Sequence, residues 1–249
     1  MWVPSLQECV VDDSDDFICD LIYDGTGDGY VGAGDLLGLL TEFGSNCLPS
    51  SAFDCGDPVG YQGYDYQTVQ IGNQCWFAEN LRSQFYQNGD SIPNFVTGAE
   101  WLGANVTETG AWCFHSGDPS GAYGRLYNWY VIGDGRGICP SDWHVPSTEE
   151  WNELTDQFGG ASVAAPFLKG NHSDTWTGTG TDQFNALPGG FRDWGNAVFF
   201  ALGSRGNWWT SSTQGSAFWR GMDENSDAVS GALFNKRMGN SIRCIRDAE

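Results

Sequence analysis

The spacing of the cysteines is the sequence feature that most constrains the fold of this chain. The eight cysteines, an even number, stand at positions 9, 19, 47, 55, 75, 113, 139 and 244, and none of them forms a C-x-x-C pair. With only three histidines in the chain, this spacing argues against a zinc site. Disulfides formed in an oxidising compartment are the better interpretation, and the spacing alone leaves every connectivity open.

The charge of the chain restricts the partners that it can have. Lysine and arginine total 11 against 32 aspartates and glutamates, which gives a formal net charge of −21. Such a surface repels nucleic acid and anionic membranes, so neither is expected as a partner, whereas divalent cations would relieve the repulsion. The longest strongly apolar run, AVFFAL, is too short to span a bilayer.

The segment YDGTGDGYVGAGDLLGLLTEFG, residues 23–44, has the spacing of a calcium-binding loop followed by a helix. Gly29 falls where an EF-hand loop turns sharply, and a leucine-rich stripe follows the loop. The expected calcium ligands are the side chains of Asp24, Thr26, Asp28 and Asp35 and the backbone carbonyl of Tyr30. Because Thr26 is neutral and Asp35 is shorter than the usual glutamate, we expect a dissociation constant of roughly 10⁻⁴–10⁻³ M. A metal-free turn leading into an amphipathic helix is the alternative.

Composition divides the chain into four parts. They are an acidic arm over 1–23, the calcium loop and helix over 24–47, a linker rich in Gly, Pro, Ser and Asp over 48–58, and a large aromatic domain over 59–249. The aspartates of the arm fit a solvated acidic surface, which we favour, or a second cation site. No signal peptide is visible, so we expect the numbering to begin after processing or inside a longer precursor of an extracellular or cell-surface protein.

Short strands, glycine turns and one clear helix predict an α+β domain. Alternating residues over 66–71, a Gly72-Asn73 turn and the run through Phe77 predict a hairpin. A capping box of Ser147 and Glu150 predicts the start of the helix. Its buried face is Trp151, Leu154 and Phe158, and Gly159 ends it.

Motifs that follow one another along the large domain indicate its family. They are YQTVQIGNQCWFAENLR, YGRLYNWYVI, GICPSDWHVPSTEEWNEL, FNALPGGFRD, GNWWTSS and SIRCIRD. In this order they resemble the Fibrobacter major paralogous domain, which is widespread in secreted and surface proteins of Bacteroidota and Fibrobacterota, over roughly residues 59–248. That family is similar to the formylglycine-generating-enzyme fold, which implies a C-type-lectin-like architecture. The loop and helix over 24–47 are similar to half of a dockerin repeat.

The resemblance does not imply enzyme activity. A formylglycine-generating enzyme uses two closely placed redox-active cysteines late in the chain together with copper, and here only Cys244 follows Cys139. His144 is interpreted as a packed or capping imidazole, and no combination of nucleophile, base and acid can be identified. We therefore expect a non-catalytic module.

The resemblance also implies a pattern of disulfides. C-type-lectin-like folds commonly place the region before the first helix near the last strand, which implies a Cys139–Cys244 bond. We pair Cys75 with Cys113, both of which lie in the early sheet region. The remaining cysteines, Cys9, Cys19, Cys47 and Cys55, would then pair among themselves in one of three ways.

Two functions are consistent with these features. The first is an extracellular structural or adhesive module that associates with copies of itself into a fibre or layer when calcium is bound. The second is a carbohydrate-binding module in which Trp208, Trp209 or Trp219 stacks on a sugar ring of a surface glycan. Since neighbouring strand residues face opposite sides, one of Trp208 and Trp209 would face outward; packing within the sheet is the alternative for these side chains.

Overall fold

The computed structural model describes residues 10–11, 17–18, 53–179 and 184–247. The chain divides into two compact units, Met1–Phe53 and Asp54–Glu249. In the first unit, strands β1 (Val10–Val11) and β2 (Phe17–Ile18) pair in antiparallel fashion. The predicted calcium loop and helix, the aspartates of the arm and the cysteines Cys9, Cys19 and Cys47 lie outside the described residues.

The second unit is rich in strands and contains few helices, which agrees with the predicted α+β class. Its strands are β3 (Val59–Tyr61), β4 (Tyr64–Tyr66), β5 (Thr68–Ile71), β6 (Gln74–Phe77), β7 (Trp112–Cys113), β8 (Leu126–Tyr127), β9 (Gly189–Arg192), β10 (Phe199–Leu202), β11 (Arg205–Gln214), β12 (Ser216–Asp223), β13 (Val229–Phe234) and β14 (Ile245–Asp247). Its helices are α1 (Gly98–Thr107), α2 (Thr148–Asp156) and α3 (Ala165–Leu168), with a 3-10 turn at Trp129–Val131.

A five-stranded sheet forms the larger part of this unit. The strand order is β10-β9-β11-β12-β13, so β11 is central and β13 and β10 are the two edges. All pairs are antiparallel except β9 with β11, which meet in parallel at Gly190 and Gly206. The predicted hairpin is present as strands β5 and β6. Strand β14 pairs with β6, which gives a three-stranded sheet of order β14-β6-β5.

Helix α2 begins as the sequence predicts. The Ser147 hydroxyl accepts from the Glu150 amide at 3.1 Å, and the Glu150 carboxylate accepts from the Ser147 amide at 2.6 Å. The helix ends at Asp156, so Phe158 follows it and packs against the core as a partly buried side chain. Helix α1 was not expected, although Thr97 and Glu100 form a second capping box at its start.

The main core lies between helices α2 and α3 and the two sheets. Its largest members are fully buried aromatic side chains that meet edge to face, including Trp76, Trp151 and Phe184. Arg243 is also fully buried, and its guanidinium donates to backbone carbonyls that include those of Phe184 and Asn185. Because these carbonyls meet the demand of the buried cation for acceptors, Arg243 cross-links the interior without a carboxylate.

The disulfides agree with one of the two implied pairings. Cys139 is bonded to Cys244, which joins the segment before α2 to the residue before β14. Cys75 is bonded to Cys55 instead of Cys113, so the implied Cys75–Cys113 bond and the pairing of Cys55 with the other N-terminal cysteines are wrong. The Thr68 side chain holds the backbone of residues 56–57 against β5, the strand paired with β6, and this packing places Cys55 beside Cys75.

Candidate binding surfaces

The three tryptophans expected to stack on a sugar are buried, so they do not form a binding platform. Trp208 and Trp209 are fully buried, and their indole nitrogens donate to Asn80 Oδ1 at 2.7 Å and to the Tyr127 carbonyl at 2.8 Å. Trp219 on β12 is 8% exposed. The expectation that one ring faces outward is wrong because residues 206–210 of the central strand β11 are buried on both faces of the sheet.

Each of the three histidines is bonded to another group of the protein. His115 contacts the Phe200 carbonyl and the Gly117 amide, His144 the Glu150 carboxylate, and His172 the Tyr123 hydroxyl. Burial lowers the pKa of His115. In the part of the chain that the structure describes, no group of three or more His, Cys, Asp or Glu side chains is placed to hold a metal ion.

Cys113 is a buried free thiol. Burial raises its pKa to about 12, although the nearby Arg192 guanidinium acts in the opposite direction. A thiol with such a pKa is almost entirely protonated at neutral pH, and the thiolate is the reactive form. Cys113 is therefore a packing residue next to Trp101, Ala111 and Leu126.

The outer edge of β13 forms the first candidate surface. Residues 231–234 of this strand are all exposed, and Leu233 and Phe234 each expose 37% of their surface. The ring of Trp194, which is also 37% exposed, meets that of Phe234 at 6.4 Å between centroids. We call residues 231–234 together with Trp194 the β13 edge surface.

A cleft of about 400 Å³ has polar walls that include Gln67, Glu79 and Asn171, with the exposed Phe167 ring at its side. Lys169 also contributes to the lining. Its ammonium group donates to the carbonyls of residues 223 and 226 at 2.6 and 2.9 Å. The positive charge is therefore already solvated by backbone, and the cleft presents amides and a carboxylate to solvent.

A second cleft, of about 290 Å³, is lined by two arginines, Arg82 and Arg125. Its other walls are the aromatic rings of Tyr64 and Phe114, the amides of Gln62 and Gln84, and Ser120 with Gly121. We call this feature the arginine cleft. It places two guanidinium groups on the surface of a chain that carries a net charge of −21.

The fold and these surfaces define a strand-rich α+β module that is cross-linked by disulfides and has an aromatic core. The family model of the Fibrobacter succinogenes major domain matches residues 69–246, and the chain belongs to this family. The match confirms the family resemblance inferred from the ordered motifs. No curated protein and no solved structure matches the chain. None of the helices in the described residues is long and apolar enough to cross a membrane.

Proposed function

We propose that this chain is a non-catalytic structural or adhesive module of the cell exterior that associates with copies of itself into a fibre or layer when calcium is bound. The observation that carries this proposal is the β13 edge surface. An edge strand presents unpaired backbone N–H and C=O groups, and soluble proteins usually protect such edges with charges, prolines or bulges.

Strand β13 lacks these protective features. Its sequence, VSGALF, contains neither a charged residue nor a proline, although the chain as a whole has 32 acidic residues. The first amide, that of Val229, donates to the Ala161 carbonyl at 2.7 Å. Beyond β12, no other strand pairs with β13 among the described residues. The strand is therefore open to a further strand along residues 231–234.

The opposite edge of the sheet is less suitable for pairing. Strand β10 has only four residues, and Ala201 within it has a positive φ of 61°. A residue in this conformation bends the strand and interrupts the regular alternation of backbone groups. We therefore assign self-association to β13 and not to β10.

A second copy of β13 is the occupant that fits this edge. Two identical strands that pair in antiparallel fashion around a two-fold axis form a self-complementary interface, which by itself closes a dimer as the first unit of a fibre or layer. The exposed side chains of Leu233, Phe234 and Trp194 would add apolar area to the backbone hydrogen bonds. The repulsion between two copies of charge −21 opposes the contact, so bound calcium would favour it.

The other parts of the proposal have separate support. Two disulfides are typical of proteins that fold in oxidising compartments. The bond of Cys139 with Cys244 supports a C-type-lectin-like architecture, in which these regions lie close together. The same bond occupies the late cysteine that copper chemistry would need, and Cys113 is a buried thiol with a raised pKa. The dockerin-like calcium loop over 24–35 is supported by the spacing of its ligands.

The test compares Leu233→Lys with the parent chain by sedimentation velocity, in calcium and in chelator. A lysine at this edge position should weaken self-association by about tenfold or more, because a charge must be buried at the strand pair. Val106→Lys is the matched control, since Val106 is 86% exposed on α1 and the change in charge is the same. A parent chain that stays monomeric at high concentration in calcium would refute the proposal, as would equal effects of the two substitutions.

A further inference from the structure

Arg125 is an unusual cation because aromatic rings hold it and no carboxylate does. Its guanidinium carbon lies 4.2 Å from the centroid of Trp112 and 5.2 Å from that of Phe114. Its Nε atom is buried without a hydrogen-bond partner. Among the described residues, the Arg125 side chain has neither an acceptor nor an acidic partner. The planar group is therefore oriented by packing alone and keeps its terminal nitrogens available to a ligand.

Arg82 is fixed beside it by a different set of contacts. Its two terminal nitrogens donate to the carbonyls of Gly121 and Ala122 at 2.7 and 3.0 Å, and its Nε is buried without a partner. The nearest carboxylate oxygen, on Glu79, lies 4.0 Å away from Nε, which is too far for a hydrogen bond. The same oxygen accepts a hydrogen bond from the Tyr64 hydroxyl.

The charge of Arg82 disfavours the charged form of Arg125 in the absence of an anion. Burial lowers the pKa of Arg125, and the neighbouring charge of Arg82 lowers it further. A partly buried cation next to another cation is costly unless a counter-charge is present. In a chain with a large excess of acidic residues, these two groups have nevertheless not been paired with a bidentate carboxylate from the protein itself. The cleft therefore offers two guanidinium groups to an external anion.

The remaining walls indicate what carries the anionic group. Tyr64 and Phe114 contribute half-buried aromatic rings. The amide of Gln84, an exposed side chain, can donate and accept hydrogen bonds, and the Ser120 hydroxyl, which donates to Asp118 at 2.7 Å, can accept one. Aromatic surface, amides and hydroxyls suit a sugar ring, which has both an apolar face and several hydroxyls. A volume of about 290 Å³ is at the small end for ligand pockets and suits one sugar residue with its substituent.

We propose that the arginine cleft binds an acidic sugar residue, with a uronate carboxylate or a sugar sulfate against Arg125 and Arg82 and the sugar ring against the aromatic wall. The shared chemistry is a planar or tetrahedral oxyanion that accepts from guanidinium groups. This function is independent of the β13 edge surface and would give an adhesive module its glycan ligand. It also differs from stacking on Trp208, Trp209 or Trp219, which are buried.

The experiment titrates the intact chain with trigalacturonate, with a sulfated galactose oligosaccharide and with neutral galactotriose, and follows binding by calorimetry. A two-dimensional NMR spectrum reports on the Trp112 indole, which lies under Arg125. We expect at least one acidic sugar to bind, the neutral sugar not to bind, and the affinity to fall as salt is raised. Binding of trigalacturonate would identify a carboxylate as the group that the arginines recognise, and binding of the sulfated oligosaccharide would identify a sulfate.

Arg125→Gln should weaken binding of the acidic sugar by about tenfold or more, since a charge-assisted hydrogen bond is lost. Arg136→Gln is the control with the same change in charge, because Arg136 already pairs with Asp90 and Asp134 and should leave binding unchanged. Gln84→Ala changes an exposed side chain and should weaken binding without changing the fold.

Four results would overturn the proposal. The first is a parent chain that binds none of the acidic sugars at millimolar concentration. The second is inorganic sulfate or acetate competing as tightly as the sugar, which would reduce the cleft to a site for bare anions. The third is an acidic peptide such as VVDDSDD binding as tightly as trigalacturonate, which would make the ligand a protein segment. Equal losses in Arg125→Gln and Arg136→Gln would likewise contradict the assignment.

Discussion

Glu150 links three parts of the chain at the start of α2. One oxygen of its carboxylate accepts from the Ser147 amide at 2.6 Å, and the other lies 2.6 Å from His144 Nε2. The backbone carbonyl of Glu150 accepts from Gln74 on β6 at 3.1 Å. Although burial acts to raise the pKa of the carboxyl, the hydrogen bonds from His144 and Ser147 hold it at about 2.

Replacing Glu150 by glutamine should make the free energy of unfolding less dependent on pH in the acidic range. Because the pKa in the folded state lies below the ordinary value of 4.5, the carboxylate stabilises the fold above pH 4.5 and loses this effect as the pH falls towards 2. We expect Glu150→Gln to lower the free energy of unfolding by about 1–2 kcal/mol at pH 7, with the difference disappearing at about pH 2–3. Urea unfolding at several pH values measures this difference in the free energy of unfolding between the variant and the parent.

The neighbouring Glu149 provides the control for this prediction. It lies in the same first turn of α2 but is exposed, so Glu149→Gln removes the same charge from the same end of the helix. If both substitutions give the same pH profile, the general interaction of charge with the helix N-terminus explains the effect. The specific contacts of Glu150 with Ser147 and His144 would then carry no separate stability.

Local patterns at the residue scale could be predicted when a single segment decides them. The capping box of Ser147 and Glu150 and the contact of His144 with Glu150 depend on residues only a few positions apart. The orientation of Trp208 and Trp209 depends on which elements cover each face of β11, and those elements lie far away in the sequence. Alternation along a strand identifies the two faces but does not say that both are buried.

The two disulfides among the described residues differ in the elements that they join. Cys139–Cys244 closes a loop of 105 residues and connects the segment before α2 to the residue before β14, whereas Cys55–Cys75 closes a loop of 20 residues. In the chain-entropy model the longer loop contributes about 5 kcal/mol and the shorter about 3 kcal/mol. We expect Cys139→Ser with Cys244→Ser to lower the unfolding temperature more than Cys55→Ser with Cys75→Ser.

Calorimetric scans of the two double variants test this order, after peptide mapping has established which bonds remain. A larger loss from the short loop would show that the Cys55–Cys75 bond acts by holding β6 in place in the folded state and not by restricting the unfolded chain. The entropic argument would then be wrong for this protein.

The pairing of β9 with β10 requires a glycine at position 190. This residue has a φ of 65°, and a Cβ atom there would lie 2.4 Å from the Phe200 carbonyl oxygen. Gly203, in the turn after β10, has a φ of 84° but no atom within 4 Å of the same position. We expect Gly190→Ala to cost about 2–4 kcal/mol and Gly203→Ala about 1 kcal/mol.

The difference between these two substitutions isolates the steric clash, because the backbone conformation is unfavourable for alanine in both. Unfolding in urea measures both values under the same conditions. Equal costs would mean that the β9–β10 pair shifts to accept a methyl group, and that the short distance to the Phe200 carbonyl has no energetic consequence.

Element existence was easier to predict than element arrangement. The hairpin of β5 and β6 and the start of α2 carry local signals, and both are present. Helix α1 has the same capping signal in Thr97 and Glu100, and that signal could have identified it. The parallel contact of β9 with β11 and the proximity of Cys55 to Cys75 have no local signal, since long-range packing decides them.

Several of the few cations of the molecule lie in its interior. Arg192, Arg243 and Lys169 are buried and donate to backbone carbonyls, so almost none of their surface is exposed to solvent. The outer surface is therefore more negative than the net charge of −21 suggests. Two copies can approach each other only where charge is absent, as along β13, or where bound cations reduce it.

Calcium bound to the 24–35 loop should therefore affect the whole molecule. We expect calorimetry to give a calcium dissociation constant of roughly 10⁻⁴–10⁻³ M, and Asp28→Ala to abolish binding because it removes an expected ligand at the centre of the loop. Asp65→Ala is the matched control, since it removes one exposed carboxylate from β4. In sedimentation experiments Asp28→Ala should associate in calcium no more than the parent does in chelator, while Asp65→Ala should behave like the parent. Identical calcium titrations of all three chains would refute the loop as a site. Association that persists in chelator would instead show that the β13 contact does not depend on calcium. The uncharged strand would then be the sole determinant of assembly.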